Sequence, residues 1–254
     1  MSYRTERKSG PAPSSVRRQT HAAPDPAERI IVALDLTTEE EALRLARALA
    51  PALRRVKIGH ALFALGGVKF LRELQDLGLR VFLDLKLHDI PNTVRGAAAA
   101  LGRLGAEFLT VHLSGGAAMA RAAVEGARQA GGTKILGVTV LSSLDAEACR
   151  EIGLAEGPDD TAIRLARIGA AAGLHGTVCS PHEAAALRAA LPPPHLIVTP
   201  GIRPRGSAAD DQARSATAGE AVAAGADLLV VGRPVIAAPD PAAALQALTR
   251  ELGG

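Results

Sequence analysis

Residues 82–93 read Phe-Leu-Asp-Leu-Lys-Leu-His-Asp-Ile-Pro-Asn-Thr, so a carboxylate at Asp84, an ammonium at Lys86 and a second carboxylate at Asp89 interrupt an apolar run. The run reads as a buried strand, in which side chains two apart point the same way. Asp84 and Lys86 then share one face, Leu83, Leu85 and Leu87 pack on the other, and Asp89 lies just past the strand end. An unpaired ion in such a place is costly to bury, so the charges must serve one another or a ligand. A fixed ammonium held by carboxylates is suited to stabilise developing negative charge and then to hand over a proton. A purely structural ion network is the other use of such a cluster.

The elements that position these groups follow from the hydropathy pattern. From residue 29 onward, short β-branched or leucine-rich runs alternate with longer Ala/Leu/Arg amphipathic stretches. Eight runs qualify as strands, at 30–34, 55–58, 79–85, 108–113, 134–140, 176–179, 196–199 and 227–231. Helical periodicity fills 38–49, 67–77, 93–104, 117–130, 162–172, 181–191, 212–224 and 234–252, while 141–160 reads as the longest irregular stretch. Thr38 before Glu39, Glu40 and Glu41 is a helix start with acidic residues in the first turn. Strands apolar on both faces suit a parallel sheet covered by helices. Eight strand-helix units in this length predict a single (β/α)8 barrel spanning 29–254, a TIM-barrel architecture. An open doubly wound sheet is the alternative, but the first strand runs into Asp35-Leu36-Thr37-Thr38 and not into a glycine-rich dinucleotide turn.

In such a barrel the reacting groups gather at the carboxyl ends of the strands. That places Asp35, Lys57, Asp84, Lys86, His112, Ser142, Arg203, Gly232 and Arg233 together. Thr199-Pro200-Gly201-Ile202-Arg203-Pro204 follows the seventh strand, and Gly232-Arg233-Pro234 follows the eighth. This is the barrel's usual phosphate end: backbone N–H groups at a helix start attract an anion, glycine allows close approach and arginine supplies a two-pronged donor. Taken alone, Gly-Arg-Pro is equally a tight turn with a surface arginine. Residues 201–212, with Arg203, Arg205, Gly206, Asp210 and Asp211, have the length and polarity of a lid.

Composition narrows the function classes. The 254 residues are 48% apolar and only 2% aromatic, with no Trp, so the core is aliphatic. The net charge of +3 comes largely from Arg4, Arg7, Lys8, Arg17 and Arg18, against Glu6 alone in the first 20 residues. Elsewhere both signs are interspersed and there is no aromatic stacking platform, which argues against nucleic acid as a partner. No run of 18 apolar residues is present, so no membrane span is expected. Cys149 and Cys179 show no metal-ligand spacing and form no disulfide framework, which fits a reducing, cytoplasmic setting. Cys179-Ser180-Pro181-His182 is not a nucleophile–base pair, because those partners meet in space and not in sequence. Residues 1–28 read as a disordered extension. Arg17-Arg18 lacks the apolar run that an export signal needs.

Taken together, Val32-Ala33-Leu34-Asp35, Val56-Lys57-Ile58-Gly59, the 82–93 run, Val138-Thr139-Val140-Leu141-Ser142-Ser143, Val198-Thr199-Pro200-Gly201-Ile202-Arg203-Pro204, Asp211-Gln212-Ala213-Arg214 and Val231-Gly232-Arg233 resemble the bacterial orotidine 5′-phosphate decarboxylases. The resemblance covers about residues 29–252 in order. The Asp-x-Lys-x-x-Asp core is shared with a wider group of phosphosugar barrels, whereas the longer form ending His-Asp-Ile-Pro-Asn-Thr, with both arginine loops, is more specific. The resemblance implies conversion of orotidine 5′-monophosphate to uridine 5′-monophosphate in de novo pyrimidine synthesis, without cofactor or metal. It implies an alternating charge network of Lys57, Asp84, Lys86 and, from the neighbouring subunit of a homodimer, Asp89, with Lys86 as proton donor. It further implies that Asp35 and Lys57 hold the ribose hydroxyls, Thr93 reaches across the dimer, Ser142 faces the pyrimidine, and Arg203, Gln212, Gly232 and Arg233 hold the phosphate. Ser142 stands where many relatives carry threonine, and the hydroxyl is retained.

The residues suit that chemistry independently. No Schiff-base or thiamine site is evident, so a carbanion would have to be stabilised by preorganised charge. Two other readings stay open. One is a phosphosugar enzyme in which Asp84 and an acidic neighbour hold Mg²⁺, against which Lys86 stands between the carboxylates. The other is a non-catalytic barrel in which the charges are structural, although that reading leaves the arginine loops without a purpose. His88 is read as capping the strand end and packing, and neither it nor His112 is taken as catalytic.

Overall fold

Each predicted strand buries itself, and together they close into a cylinder. The computed structural model describes residues 25–204 and 215–253. Its strands are β1 (Ile30–Ala33), β2 (Arg55–Ile58), β3 (Arg80–Leu87), β4 (Phe108–His112), β5 (Lys134–Val138), β6 (Gly176–Val178), β7 (Leu196–Thr199) and β8 (Leu228–Val231). They pair in sequential order as a closed barrel, with β8 parallel to β1 and Val231 opposite Val32. All four residues of β1, β2 and β8 are buried, as a sheet covered on both faces requires.

Alternation divides the apolar residues into two packing zones. Ile31, Ala33, Phe82, Phe108, Leu136, Val198, Leu228 and Val230 point inward and fill the barrel, where Phe82 and Phe108 meet edge to face at 5.8 Å. Their neighbours, among them Val32, Val56, Val81, Leu83, Leu109 and Leu229, point outward beneath the helices. Those helices are α1 (Glu39–Leu49), α2 (His60–Asp76), α3 (Pro91–Gly102), α4 (Gly116–Gln129), α5 (Ala146–Glu151), α6 (Pro158–Ala171), α7 (Ala184–Ala190), α8 (Ala218–Ala223), α9 (Arg233–Ile236) and α10 (Pro241–Gly253). The Thr38 hydroxyl caps α1 by accepting from Glu41 N at 3.3 Å.

Four expectations need correction. The stretch 141–160 is not wholly irregular: Asp145 accepts from the N–H groups of Glu147 and Ala148 at 3.0 and 2.9 Å and starts α5, and α6 begins at Pro158. Pro239, Asp240 and Pro241 divide the last predicted helix into α9 and α10. The second helix starts early, at His60, and bends at Gly67, whose φ of 51° lies in the left-handed region. The segment predicted as helix over 212–224 is helical only over Ala218–Ala223 among its described residues.

The closed end of the barrel is sealed by charge. Arg55, 8% exposed, grips Glu107 through Nε (2.7 Å) and Nη2 (3.2 Å) and reaches Glu28 Oε2 at 2.8 Å. Arg80 Nη2 joins the same Glu28 oxygen at 2.5 Å, and these hydrogen bonds hold the Glu28 carboxyl below its usual range, chiefly that from Arg80. Glu28 lies in a 3-10 turn, Pro26–Arg29, so these last residues of the predicted disordered extension are ordered against the barrel floor. Residues 1–24 lie outside the described part, as does the expectation made for them.

Candidate active site

The opposite, carboxyl end carries a cavity of about 500 Å³, lined at its charged side by Asp35, Lys57, Asp84 and Lys86. The inward register of β1 to β3 places these groups side by side. Lys57 Nζ lies 2.9 Å from Asp35 Oδ1 and 3.5 Å from Asp84 Oδ2, and Lys86 Nζ lies 2.9 Å from that same Asp84 oxygen. The result is an unbroken alternation of charge, Asp35–Lys57–Asp84–Lys86, across the ends of β1, β2 and β3. Burial penalises the Asp84 carboxylate, but Lys57 and Lys86, with hydrogen bonds from Lys86 and Thr110, outweigh that penalty and hold its pKa below the usual range.

Lys86 reaches this position through an irregular backbone. Between the pairs Leu83↔Leu109 and Leu87↔Val111, three residues of β3 stand opposite the single Thr110 of β4. Lys86 takes φ 46°, the only positive φ at a non-glycine among the described residues. Such a conformation costs on the order of 1–3 kcal/mol and persists only where its surroundings enforce it. Here side chains enforce it. The Lys86 N–H donates to Thr110 Oγ1 at 2.9 Å, the Thr110 hydroxyl donates to Asp84 Oδ1 at 3.0 Å, and His60 Nε2 meets the Leu85 carbonyl at 3.0 Å. The even strand expected over 79–85 is thus longer and bulged.

Ser142, Arg203, Gly232 and Arg233 line the same cavity, with an apolar wall that includes Val138, Val140, Leu141 and Val178. Gly201, at φ 81°, turns the chain after β7, and Arg203 is then tied by its N–H to the Ala216 carbonyl at 2.9 Å. Any side chain at Gly232 would project toward Asp35 Oδ2, 3.7 Å from its Cβ, and narrow the cavity. Gln212, together with Arg205, Gly206, Asp210 and Asp211 of the expected lid, lies outside the described residues.

Asp89 and Thr93 are not brought to the cavity of their own chain. Both are exposed at the start of α3, beside Ile90, which is 67% exposed. Asp89 Oδ1 accepts from the Ile90 N–H at 2.6 Å. His88 and His112 pack ring against ring at 5.6 Å, and burial, then His88 and Lys86, push His112 below its usual pKa. The sequence reading missed Thr110 and His60. The inward spacing Phe108, Thr110, His112 is a legible sign for the first, since a hydroxyl inside a barrel needs a partner. Nothing local marks the second.

Both Asp84 oxygens are committed to Lys57, Lys86 and Thr110. Among the described residues no group of three or more His, Cys, Asp or Glu side chains is arranged to hold a metal ion. No helix among them is long and apolar enough to cross a membrane.

A closed parallel barrel with ionisable groups and arginines at the carboxyl ends of its strands defines a (β/α)8-barrel enzyme. The family model of the orotidine 5′-phosphate decarboxylase / HUMPS family matches residues 28–248, and the chain belongs to that family. Orotidine 5′-phosphate decarboxylase from Anaeromyxobacter dehalogenans is 55% identical over 227 residues, covering 89% of this chain and 99% of the relative. The enzyme of the same name from Parasynechococcus marenigrum is 50% identical over 239 residues, covering 91% and 97%. The crystal structure of orotidine 5′-phosphate decarboxylase from Lactobacillus acidophilus matches with a TM-score of 0.80 at 36% identity, over 89% of this chain and all of that one.

Proposed function

We propose that the chain decarboxylates orotidine 5′-monophosphate to uridine 5′-monophosphate in pyrimidine nucleotide synthesis, with Lys86 as the proton donor. The observation that carries this reading is the Asp35–Lys57–Asp84–Lys86 alternation lining one cavity together with Arg203 and Arg233. The arginines and the glycine backbone would take the phosphate, and Asp35 and Lys57 the ribose hydroxyls. Ser142 would face the pyrimidine, and Gln212 would join the phosphate grip.

The reacting carbon then comes to the Lys86 end. The bond from the pyrimidine ring to its carboxylate breaks, carbon dioxide leaves, and the electron pair remains on the ring carbon. Lys86 Nζ stabilises that charge and transfers a proton to it, and the amine is reprotonated from solvent. The ammonium is already fixed by Asp84, so little reorganisation is needed as charge develops. Binding energy from the remote phosphate supports this organisation of the site. We assign Asp89 and Thr93 to the neighbouring site of a homodimer, a role that their exposure outside their own cavity supports.

The test is turnover of orotidine 5′-monophosphate followed by ultraviolet absorbance in excess EDTA. Conversion by the wild-type protein, with kcat/KM at least about 1,000-fold lower in Lys86→Ala, is the expected result. A folded protein that binds uridine 5′-monophosphate without turning over the substrate would refute the assignment. So would activity on a phosphosugar that requires Mg²⁺.

A further inference from the structure

The bulge in β3 exposes two backbone groups that a regular ladder would satisfy, and both are taken by side chains from other elements. Leu85 C=O is met by His60 from the start of α2, and Lys86 N–H by Thr110 from β4. Thr110 is fully buried, and its hydroxyl is used in both directions at once. As acceptor it holds the Lys86 backbone, and as donor it holds Asp84 Oδ1. That leaves Asp84 Oδ2 turned toward the two ammonium groups.

We propose that Thr110 is a positioning residue for the decarboxylation: its hydroxyl ties the Lys86 backbone and the Asp84 carboxylate into one geometry, which aims the Lys86 ammonium at the reacting carbon. The inference rests on the functional reading above. It explains why a non-glycine residue is held at φ 46° at this point of the barrel. Without the hydroxyl, the bulged peptide loses its partner and Asp84 loses the bond that orients it, so Lys86 Nζ is free to move from the reacting position. A misplacement on the order of 1 Å lowers a rate by about 100-fold. Substrate affinity should change far less, because Arg203, Gly232 and Arg233 grip from the loops after β7 and β8, across the cavity from β4.

The experiment compares Thr110→Val, which keeps the shape and removes the hydroxyl, with Thr110→Ser, which keeps the hydroxyl, by steady-state kinetics and thermal unfolding. The expected result is a kcat lower by about 100-fold in Thr110→Val with KM within a few-fold of wild type, and recovery of most of kcat in Thr110→Ser. If Thr110→Val does not fold, Thr110→Cys takes its place, since a thiol is a weak donor and acceptor of similar size. An unchanged kcat in the hydroxyl-free variant overturns the inference. So does an equal loss of kcat, substrate affinity and melting temperature in all variants, Ser included, because that pattern marks a general packing role. Absence of turnover by the wild-type protein overturns the functional reading and this inference with it. Wild-type turnover with an unimpaired Thr110→Val overturns this inference alone.

Discussion

Lys86 and Asp84 belong to the same strand, yet the Lys86 ammonium folds back to 2.9 Å from Asp84 Oδ2, a contact made across the bulged backbone. That oxygen also receives Lys57 at 3.5 Å, so one carboxylate balances a buried and a half-buried cation. Asp84→Asn keeps the size and the acceptor for Thr110 but removes the charge. The expected outcome is a kcat lower by about 100-fold or more, measured on folded variant protein, because Lys86 loses the charge that fixes its ammonium while Lys57 is left with Asp35.

A shared active site has a distinctive signature. Lys86→Ala and Asp89→Ala homodimers should each be inactive, whereas mixed dimers should contain one site with both residues intact and regain part of the activity. Subunit exchange is verified by differential tagging. No recovery in confirmed hybrids would count against the assignment of Asp89 to a neighbouring site.

Arg233 tests the phosphate end. A charge-assisted, two-pronged arginine–phosphate contact contributes about 1.5–3 kcal/mol. Arg233→Ala should therefore raise KM by roughly 10- to 100-fold while affecting kcat less, as read from saturation kinetics. A kcat loss at unchanged KM would place Arg233 in a different role.

The closed end of the barrel gives a stability prediction free of catalysis. Arg55 is buried and two-pronged on Glu107, so Glu107→Ala leaves its guanidinium short of a partner. The expected cost is about 3 kcal/mol, seen as a melting temperature lower by about 6–12 °C, with kcat below that temperature unchanged.

Acid sensitivity should come first from histidines. Burial lowers the pKa values of His175, beside Lys134 and Arg128, and of His195, beside Arg188, and it lowers that of His112 as well. A folded state that binds these protons weakly is fully favoured above the ordinary histidine value of 6.5, and the stability falls as pH drops from there through the lowered folded values. Asp84 and Glu28 also have lowered values, but their contribution is lost only at more acid pH, below the ordinary carboxylate range. His175 Nδ1 accepts from the Ile135 N–H at 3.1 Å, a bond that protonation removes. The melting temperature should therefore decline as the pH falls below about 6.5, and His175→Asn, which supplies an acceptor that does not titrate there, should show a shallower decline. An identical slope in the variant would refute the assignment.

The eight strands, their order and the inward direction of Asp35, Lys57 and Asp84 were legible in the chain, because apolar periodicity and strand alternation are local properties that burial on both faces of a parallel barrel only reinforces. Arg203, Gly232 and Arg233 were legible for a related reason: in a barrel of known direction the loops after the strands gather at one end, and these three residues line the cavity there. Interruptions set by single residues were harder to read, which is why α5 and the break between α9 and α10 were passed over. Only the tertiary structure decided the two-residue excess in β3, the left-handed backbone at Lys86 and the roles of Thr110 and His60. Thr110 lies 24 residues beyond Lys86, and His60 lies 25 residues before Leu85. Their selection depends on which backbone groups the bulge leaves unpaired, a condition that exists once neighbouring strands are in register and not before.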